Sequence, residues 1–293
     1  MGIMGHPMAL RLLEGGIALT VHTRTKAKAA EIIARGAKWA ASPAEATAAA
    51  DVVLICVTNT PDVQAVIAGE LGIASAARPG LIVVDHSTIS PAATRELAAT
   101  LAIKGTTLLD APVSGGDSGA KAGTLSIMVG GDANAFANVE PLLKLMGKTI
   151  THCGPSGAGQ LTKLVNQILV SVNNLAVCEA LVFAQRNGLD LEKTLAAVGG
   201  GAAGSWQLTN LAPKMIARDW RPGFMIDLQQ KDLRLVLAAA AAARTPATAT
   251  SLVSHLFKAA QLAGHGKDGT QTLFTVLENL AADAPGIVQR LEK

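Results

Sequence analysis

Residues 18–37 read ALTVHTRTKAKAAEIIARGA, a short β-rich run that passes directly into a helical one. Similar apolar runs follow at residues 51–57, 80–87, 106–113 and 125–131, with Ala-rich segments between them. Continuous apolar strands that alternate with helices are typical of a parallel sheet buried on both faces. The first part of the chain is therefore predicted to be a doubly wound α/β domain.

The strand pattern stops near residue 156. Residues 157–188, GAGQLTKLVNQILVSVNNLAVCEALVFAQRNG, predict a helix of about thirty residues that ends at Asn187 and Gly188, and later segments are also helical. We therefore predict an α/β domain over residues 1–155 and an all-helical domain over residues 156–293, entered through the long helix. The Ala-rich helices favour a homodimer or homotetramer.

Composition excludes several classes of protein. Of the 293 residues, 49% are hydrophobic and 3% aromatic, and the net charge of +3 is not gathered into basic blocks. This leaves little material for a nucleic-acid surface. The three cysteines have no motif spacing, which indicates a reducing compartment. We expect a cytoplasmic protein with no membrane or nucleic-acid partner and, because the histidines lack ligand spacing, no catalytic metal.

Gly2 and Gly5 stand directly before a predicted helix, residues 6–16. In dinucleotide folds, such glycines allow a tight turn and a close approach to the pyrophosphate, which faces the helix N-terminus. The turn would comprise Gly2, Ile3, Met4 and Gly5. A plain N-terminal loop is the alternative, because two glycines alone are weak evidence.

The loop after the strand at residues 18–23 indicates which dinucleotide would bind. An acid there would bind the ribose 2′-hydroxyl of NAD, whereas a cation suits the 2′-phosphate of NADP. The sequence has no acid but the donors Thr23, Arg24, Thr25 and Lys26. We therefore favour NADP(H), with NAD(H) as the second possibility and a solvated surface loop as the alternative to both.

Several motifs together resemble one family along essentially the whole chain. The motifs, in order, are GIMGHPMALRLL, VHTRT, VVDHSTISP, DAPVSGG, GTLSIMVGGD, GAGQLTKLVNQ and WRPGFMIDLQQKDL. They resemble the β-hydroxyacid dehydrogenases, which include 3-hydroxyisobutyrate dehydrogenase and tartronate semialdehyde reductase. The resemblance implies an enzyme with a Rossmann-like, 6-phosphogluconate dehydrogenase-like first domain and a nicotinamide cofactor.

Family members open with a strand and a further glycine that do not precede Gly2 in this sequence. In the strand order 3-2-1-4-5-6, this is the central strand, and its loss would leave backbone groups unpaired on both neighbours. We expect the reading frame to begin upstream. Otherwise the sheet must be rearranged or the cofactor site is damaged.

A polar stripe runs along the long apolar helix: Gln160, Lys163, Asn166, Gln167, Asn173 and Asn174. Such a stripe must face either solvent or a wet cleft, and the pattern leaves both open. Lys163 is its only ionisable member. The resemblance implies that Lys163 donates the proton to the substrate carbonyl as hydride arrives, with Asn166 and Gln167 contacting substrate. An ammonium group there would stabilise the developing alkoxide.

The resemblance implies further contacts to substrate and cofactor. Those to a small carboxylate-bearing substrate would be made by Ser114, Gly115, Gly116, Phe224 and Asp232. Those to the cofactor would be made by Thr58, Ser87, Thr88 and Lys231. The alternatives are a Gly-rich turn at residues 114–116, core packing for Phe224 and a surface ion pair of Lys231 with Asp227.

These observations predict an NAD(P)H-dependent reductase of short semialdehyde or 3-oxo acids. The small-residue segment GGGAAGSWQL, residues 199–208, most resembles that of tartronate semialdehyde reductase, also named 2-hydroxy-3-oxopropionate reductase. The alternatives are 3-hydroxyisobutyrate dehydrogenase and a dinucleotide-binding regulatory protein without turnover.

Overall fold

The strands of the protein form where the sequence is rich in aliphatic and β-branched residues. The computed structural model describes residues 1–282, which divide into a first unit, Met1–Asn166, and a second unit that begins at Gln167. The strands of the first unit are β1 (Thr20–Val21), β2 (Lys38–Trp39), β3 (Val52–Ile55), β4 (Ile82–Asp85), β5 (Thr107–Asp110), β6 (Val113–Ser114), β7 (Leu125–Gly130) and β8 (Gly147–Gly154).

The main sheet is mixed rather than wholly parallel. Strands β3, β4 and β5 pair in parallel, and β8 is parallel to β7. However, β7 runs antiparallel to β5 and β6, with Asp110 opposite Gly130. A parallel crossover needs a dozen or more residues, and only residues 115–124 separate β6 from β7. The parallel arrangement expected from the sequence therefore holds for part of the sheet only.

The strands β1 and β2 form a separate parallel sheet, with Thr20 opposite Lys38. Among residues 1–282, no strand joins β1 to β3, although the order 3-2-1-4-5-6 places its central strand between their equivalents. The side chains of β3 are less buried than those of the neighbouring strand β4. Val52, Val53 and Leu54 are only half-buried, whereas Val83 and Val84 of β4 are fully buried.

Helices cover both faces of the main sheet, as the doubly wound prediction requires. Along β4, Val83 packs into a cluster with Ile67 and Leu101, whereas Val84 packs into a second cluster with Met8. The helices of the first unit are α1 (Gly5–Glu14), α2 (Ala30–Ala34), α3 (Pro43–Thr47), α4 (Thr60–Ala68), α5 (Pro91–Ala102), α6 (Gly116–Ala122) and α7 (Ala133–Leu143).

Local capping chemistry fixes where several of these helices begin. The side chains of Ser42, Asn59, Ser90 and Asp132 each accept a hydrogen bond from an amide in the first turn of α3, α4, α5 and α7. Such caps satisfy amides that have no partner within the helix. The beginnings of these helices therefore follow from short-range sequence.

The long helix α8 (Ala158–Arg186) confirms the prediction of a helix of about thirty residues. It ends before Gly188, whose φ of 72° is left-handed and suits a helix C-terminus. The described helices after it are α9 (Leu191–Gly199), α10 (Trp206–Asn210), α11 (Ala212–Ile216), α12 (Ile226–Ala242), α13 (Thr248–Leu262) and α14 (Leu273–Ala281).

A single apolar cluster holds the second unit together. It includes Cys178 and Leu181 of α8, Leu233 of α12, Phe257 of α13 and Phe274 of α14, all almost fully buried. These residues come from widely separated parts of the sequence. The second unit therefore has a hydrophobic core of its own.

In its first turns, α8 buries several polar side chains and exposes some apolar ones. Its polar residues Gln160, Lys163 and Gln167 are buried, whereas Val165 and Leu169 are each 57% exposed. By length and composition, α8 could cross a membrane. Because its polar face is buried against protein groups, we interpret it as a core helix. Of the six residues of the polar stripe, four are buried and Asn166 and Asn173 are half-buried, so the stripe is not a solvated face.

Two glycines allow the beginning of α8 to touch the sheet backbone directly. A Cβ atom on Gly159 would lie 2.3 Å from the Met128 carbonyl oxygen and 2.7 Å from that of Asp110. A Cβ atom on Gly130 would lie 2.7 Å from the Gly159 amide nitrogen. Contacts this short are impossible for a real side chain, so glycine is required at both positions.

We expect Gly159→Ala to lower the free energy of unfolding by about 1–3 kcal/mol or more, because the backbone on both sides must shift. Chemical denaturation measures this change. The control is Gly199→Ala at the end of α9, where a Cβ atom meets nothing within 4 Å. Equal stability of the wild type and Gly159→Ala would contradict the close packing of α8 on the sheet.

Candidate active site

The turn of Gly2, Ile3, Met4 and Gly5 leads directly into α1. The His6 amide donates to the Gly2 carbonyl oxygen at 3.1 Å, and neither a capping side chain nor an acid occupies the first turn of α1. A Cβ atom on Gly5 would lie 3.7 Å from the Cys56 Cβ, an ordinary contact, and one on Gly2 would meet nothing. The steric need for these glycines is therefore weaker than expected, but the uncapped helix N-terminus suits a phosphate.

The predicted cofactor loop after β1 presents mostly donors. The Met1 amino group donates to Thr23 Oγ1 at 2.6 Å. Arg24 is 84% exposed and lies 3.6 Å from an Asp62 carboxylate oxygen, a surface pair of little energetic value. Thr25 precedes a short helical turn that starts at Lys26, whose Nζ lies 5.5 Å from the centroid of the Trp39 ring. A loop with two cations and no acid of its own fits a phosphate group.

The loops after β3 and β4 are tied to each other at Ser87. The Ser87 hydroxyl accepts a hydrogen bond from the Val57 amide at 2.9 Å, and its own amide donates to Asp85 Oδ1 at 2.9 Å. Ser87 is buried, Thr88 is half-buried and Thr58 is exposed. Thr58 and Thr88 are therefore the more accessible of the three predicted cofactor contacts.

The DAPVSGG loop has the backbone that the sequence indicates. Ser114 pairs with Ser126 at the end of β6, and the following Gly115 and Gly116 have φ values of 127° and 61°. Only glycine adopts two such angles in succession without strain. Residues 114–116 are exposed or half-buried at the start of α6, so their groups are open to a ligand.

Asp110, at the end of β5, anchors the N-terminus of α8. Its carboxylate oxygens accept hydrogen bonds from the Gly157 and Gln160 amides, each at 2.8 Å. Burial raises the pKa of this carboxyl, and the backbone amides that donate to it oppose the rise. No role for Asp110 was predicted from the sequence. Its position at a strand end, immediately before a Gly-rich loop, was the available signal.

Lys163 lies one turn after Gln160 on the buried face of α8. It is 7% exposed, and its ammonium group donates to Asn166 Oδ1 at 3.3 Å. A lysine is rarely this buried unless it has partners. The structure therefore brings together the predicted acid/base and the residue predicted to orient the substrate.

In the second unit, Asp232 links two further predicted residues. Gln167 Nε2 donates to Asp232 Oδ2 at 2.6 Å, and Lys231 Nζ lies 2.9 Å from Asp232 Oδ1. Asp227 instead accepts from Gln261 at 2.6 Å, so the ion pair considered for Lys231 on sequence grounds is replaced by one with Asp232. The three side chains form one chain of polar contacts, in which Gln167 and Asp232 are buried and Lys231 is half-buried.

Phe224 is half-buried, and its carbonyl oxygen accepts a hydrogen bond from the Thr270 amide at 3.0 Å. Its ring is thus neither fully in the core nor free in solvent. Over residues 1–282, the structure contains no group of three or more His, Cys, Asp or Glu side chains that could hold a metal ion.

Comparisons with known proteins identify relatives along most of the chain. Residues 1–154 match the family model described as the NAD binding domain of 6-phosphogluconate dehydrogenase. Residues 157–277 match the model described as NAD-binding of NADP-dependent 3-hydroxyisobutyrate dehydrogenase. The 2-hydroxy-3-oxopropionate reductase of Escherichia coli (strain K12) is 42% identical over 281 residues, 96% of each chain. The chain belongs to the β-hydroxyacid dehydrogenase family.

Two solved structures of similar proteins support the same assignment. The 3-hydroxyisobutyrate dehydrogenase of Mycobacterium tuberculosis with L-serine has a TM-score of 0.86 and 32% identity, covering 94% of this chain and 96% of that one. Psf3 in complex with NADP+ and 2-OPP has a TM-score of 0.86 and 29% identity, covering 94% and 97%. The protein is therefore an NAD(P)-dependent oxidoreductase that uses a nicotinamide dinucleotide.

His86 is a buried residue of this dehydrogenase that sequence reasoning left without a role. Its Nδ1 lies 2.7 Å from the Ala111 carbonyl oxygen and donates to it, and Nε2 has no partner among the described residues. Burial lowers the pKa of His86 from 6.5 to about 4. The ring is therefore neutral at pH 7, with its proton on Nδ1.

This lowered pKa predicts a dependence of stability on pH. The stability that His86 contributes is fully present above pH 6.5 and is lost as the pH falls through about 4, because the unfolded state binds the proton first. Between these values, the free energy of unfolding should fall by roughly 3 kcal/mol more in the wild type than in His86→Asn. The measurement is urea denaturation at a series of pH values, with His255→Asn as the control at an exposed histidine. If the free energy of unfolding depends on pH in the same way in the wild type and in His86→Asn, the prediction is wrong.

Proposed function

We propose that the protein is an NADP(H)-linked reductase of short semialdehyde or 3-oxo acids, with tartronate semialdehyde (2-hydroxy-3-oxopropionate) as the substrate of choice. One observation carries this proposal. A buried ammonium group, that of Lys163, is hydrogen-bonded to Asn166 on a helix that Asp110 anchors to the sheet. Such a group can protonate a carbonyl oxygen where water is excluded.

Lys163 acts as the general acid in the reduction. The bound nicotinamide supplies the hydride to the carbonyl carbon. The Lys163 ammonium group donates a proton to the carbonyl oxygen and, before the transfer, stabilises the negative charge that develops there. In the reverse direction, the neutral amine accepts the hydroxyl proton. The Asn166 side-chain oxygen, 3.3 Å from Nζ, holds the ammonium group in one orientation.

The substrate carboxylate is bound by the loop of Ser114, Gly115 and Gly116. Gly115 and Gly116 have positive φ angles and no side chains, so the backbone amides of this turn are left uncovered, and amides in turns can form anion-binding concavities. The Ser114 hydroxyl supplies a further donor. In the second unit, Asp232 holds Gln167 and Lys231, so these residues present fixed polar groups to their ligands. Phe224 supplies an apolar wall.

The comparisons support the substrate class more than the single substrate. The Escherichia coli relative is named for the reduction of 2-hydroxy-3-oxopropionate. The Mycobacterium tuberculosis structure is that of a 3-hydroxyisobutyrate dehydrogenase with L-serine, which is also a small acid that carries a hydroxyl group. Both names describe a short carboxylate with an oxygen function on the third carbon.

The loop after β1 favours NADP(H) over NAD(H). Arg24 and Lys26 supply cations for the 2′-phosphate, and Thr23 and Thr25 supply hydroxyl groups. Psf3, which is similar in fold, was solved with NADP+. The carboxylate that selects NAD in other dinucleotide folds has no counterpart in residues 23–26.

The apolar residues exposed on α8 support the homodimer or homotetramer that the Ala-rich composition favours. Leu161, Val165 and Leu169 follow one another at four-residue spacing, so they form a single ridge on the helix. Contiguous exposed apolar surface of this kind is typical of an interface. A cytoplasmic location is consistent with three free cysteines.

The catalytic proposal predicts that Lys163→Ala lowers kcat for tartronate semialdehyde by about 10²–10⁴, because proton transfer loses its donor. NADPH oxidation is followed by absorbance with a panel of short semialdehydes, and NADPH binding is measured separately by fluorescence. The matched control is Lys144→Ala, which removes an exposed lysine paired with Glu140.

A loss of less than tenfold for Lys163→Ala would remove Lys163 as the acid. Faster oxidation of 3-hydroxyisobutyrate than reduction of any semialdehyde would favour the second enzyme assignment. Tight NADPH binding without turnover of any substrate in the panel would favour a regulatory role.

The cofactor proposal predicts that Arg24→Ala raises the KM for NADPH by about 10–100-fold, since a charge-assisted hydrogen bond to phosphate is lost. The KM for NADH should change little. The ratio of the KM for NADPH to the KM for NADH is therefore the quantity to compare between Arg24→Ala and the wild type. Arg35→Ala, at a half-exposed arginine paired with Glu31, is the control. An unchanged ratio would show that Arg24 does not bind the 2′-phosphate.

A further inference from the structure

Gln160 makes two hydrogen bonds to one loop of the sheet domain. Its side-chain oxygen accepts from the Ile89 amide at 3.1 Å, and its side-chain nitrogen donates to the Ser87 carbonyl oxygen at 2.8 Å. The side chain is completely buried. A buried amide that uses both of its polar ends is held in one orientation, because any rotation leaves a polar group without a partner.

The backbone at Gln160 is also held by contacts with the sheet. Its amide donates to Asp110 Oδ2 at 2.8 Å, and the preceding Gly159 lies against the backbone of β5 and β7. The residue is therefore immobilised by the sheet below it and by the loop beside it. Lys163 follows three residues later, on the same face of the same helix.

The loop to which Gln160 is hydrogen-bonded also contains Ser87 and Thr88, which are predicted to contact the cofactor. Both loop residues that are hydrogen-bonded to Gln160 are themselves held in place. Ile89 is buried in the apolar core, and the Ser87 hydroxyl accepts a hydrogen bond from the Val57 amide. Gln160 thus connects the predicted cofactor loop to the helix that carries the predicted acid.

We propose that Gln160 is a positioning residue that sets the distance between the cofactor loop at residues 87–89 and the ammonium group of Lys163. This rests on the proposed function, in which hydride and proton reach the same carbonyl group. Misplacement by about an ångström is enough to cost a reaction of this kind on the order of 10²-fold in rate. Gln160 acts through Lys163 and touches neither substrate nor cofactor.

The test compares Gln160→Met, a replacement of similar length without hydrogen bonds, with Gln230→Met. Gln230 is a matched control, because it is also buried and makes one hydrogen bond to a Ser254 carbonyl oxygen and another with the Ser254 hydroxyl. Both variants should lose similar stability. Only Gln160→Met should lower kcat, by tenfold or more, with the Kd for NADPH and the substrate KM changed less than threefold. The deuterium isotope effect with 4-deuterated NADPH should rise.

A double-mutant cycle with Lys163→Ala separates positioning from a general loss of structure. If Gln160 acts through Lys163, adding Gln160→Met to Lys163→Ala should lower kcat less than threefold further. Multiplicative losses, or equal losses of kcat in Gln160→Met and Gln230→Met, would overturn the proposal. If Gln160→Met does not fold, Gln160→Glu replaces it, since this variant keeps the acceptor for the Ile89 amide and loses the donor to Ser87.

Hydrogen exchange of the Ile89 amide, measured without cofactor, tests the anchor independently of turnover. Exchange should be faster in Gln160→Met than in the wild type and unchanged in Gln230→Met. Unchanged exchange at Ile89 in Gln160→Met would overturn the proposal even in an active enzyme. A wild type that reduces no semialdehyde would instead refute the proposed function, while the exchange experiment still decides whether Gln160 holds the loop.

Discussion

The contact between the Asp110 carboxylate and the N-terminus of α8 is the constraint on which the site depends. The Gly157 amide, just before α8, and the Gln160 amide, in its first turn, both donate to this one buried side chain at the end of β5. A carboxylate at a helix N-terminus satisfies amides that have no partner within the helix and interacts favourably with the helix dipole. The beginning of α8 is thereby fixed to the sheet, and the position of every residue in its first turns follows.

The close approach of α8 also determines which residues can surround it. Backbone contact at Gly159 and Gly130 leaves no room for side chains at the point of anchorage. At Gln160 the helix therefore meets polar backbone groups of the loop after β4, and an apolar side chain there would leave those groups unsatisfied. Gln160 fits this environment because its amide supplies both a donor and an acceptor. The burial of a polar side chain at the beginning of α8 thus has a local physical cause.

The sequence was sufficient to locate most of the strands and the long helix, but it was insufficient to predict how several strands pair. Continuous apolar runs identified β3, β4, β5 and β7, and helical spacing identified α8 almost to the residue. The strand β8 was missed because GKTITHCG contains one aliphatic residue, Ile150, and is otherwise mostly polar or small, with much of it open to solvent. The antiparallel pairing of β7 depends on the length of a connection, which apolar periodicity does not report.

The same distinction applies to the site. Lys163 and Asn166 could be named from the sequence because they are an ionisable residue and its neighbour on one helix face. The ion-pair partner of Lys231 could not be predicted from the sequence. Helical spacing suggested Asp227 at i−4, whereas the structure pairs Lys231 with Asp232. Asp110 and Gln160 act by contacts with residues far along the chain, and sequence spacing does not identify those partners. Residues that perform chemistry are recognisable by type, whereas those that position them are recognisable only by what they touch. In this protein the positioning residues Asp110 and Gln160 are more deeply buried than Lys163. Their contribution is therefore visible only in the contacts that they make in the folded structure.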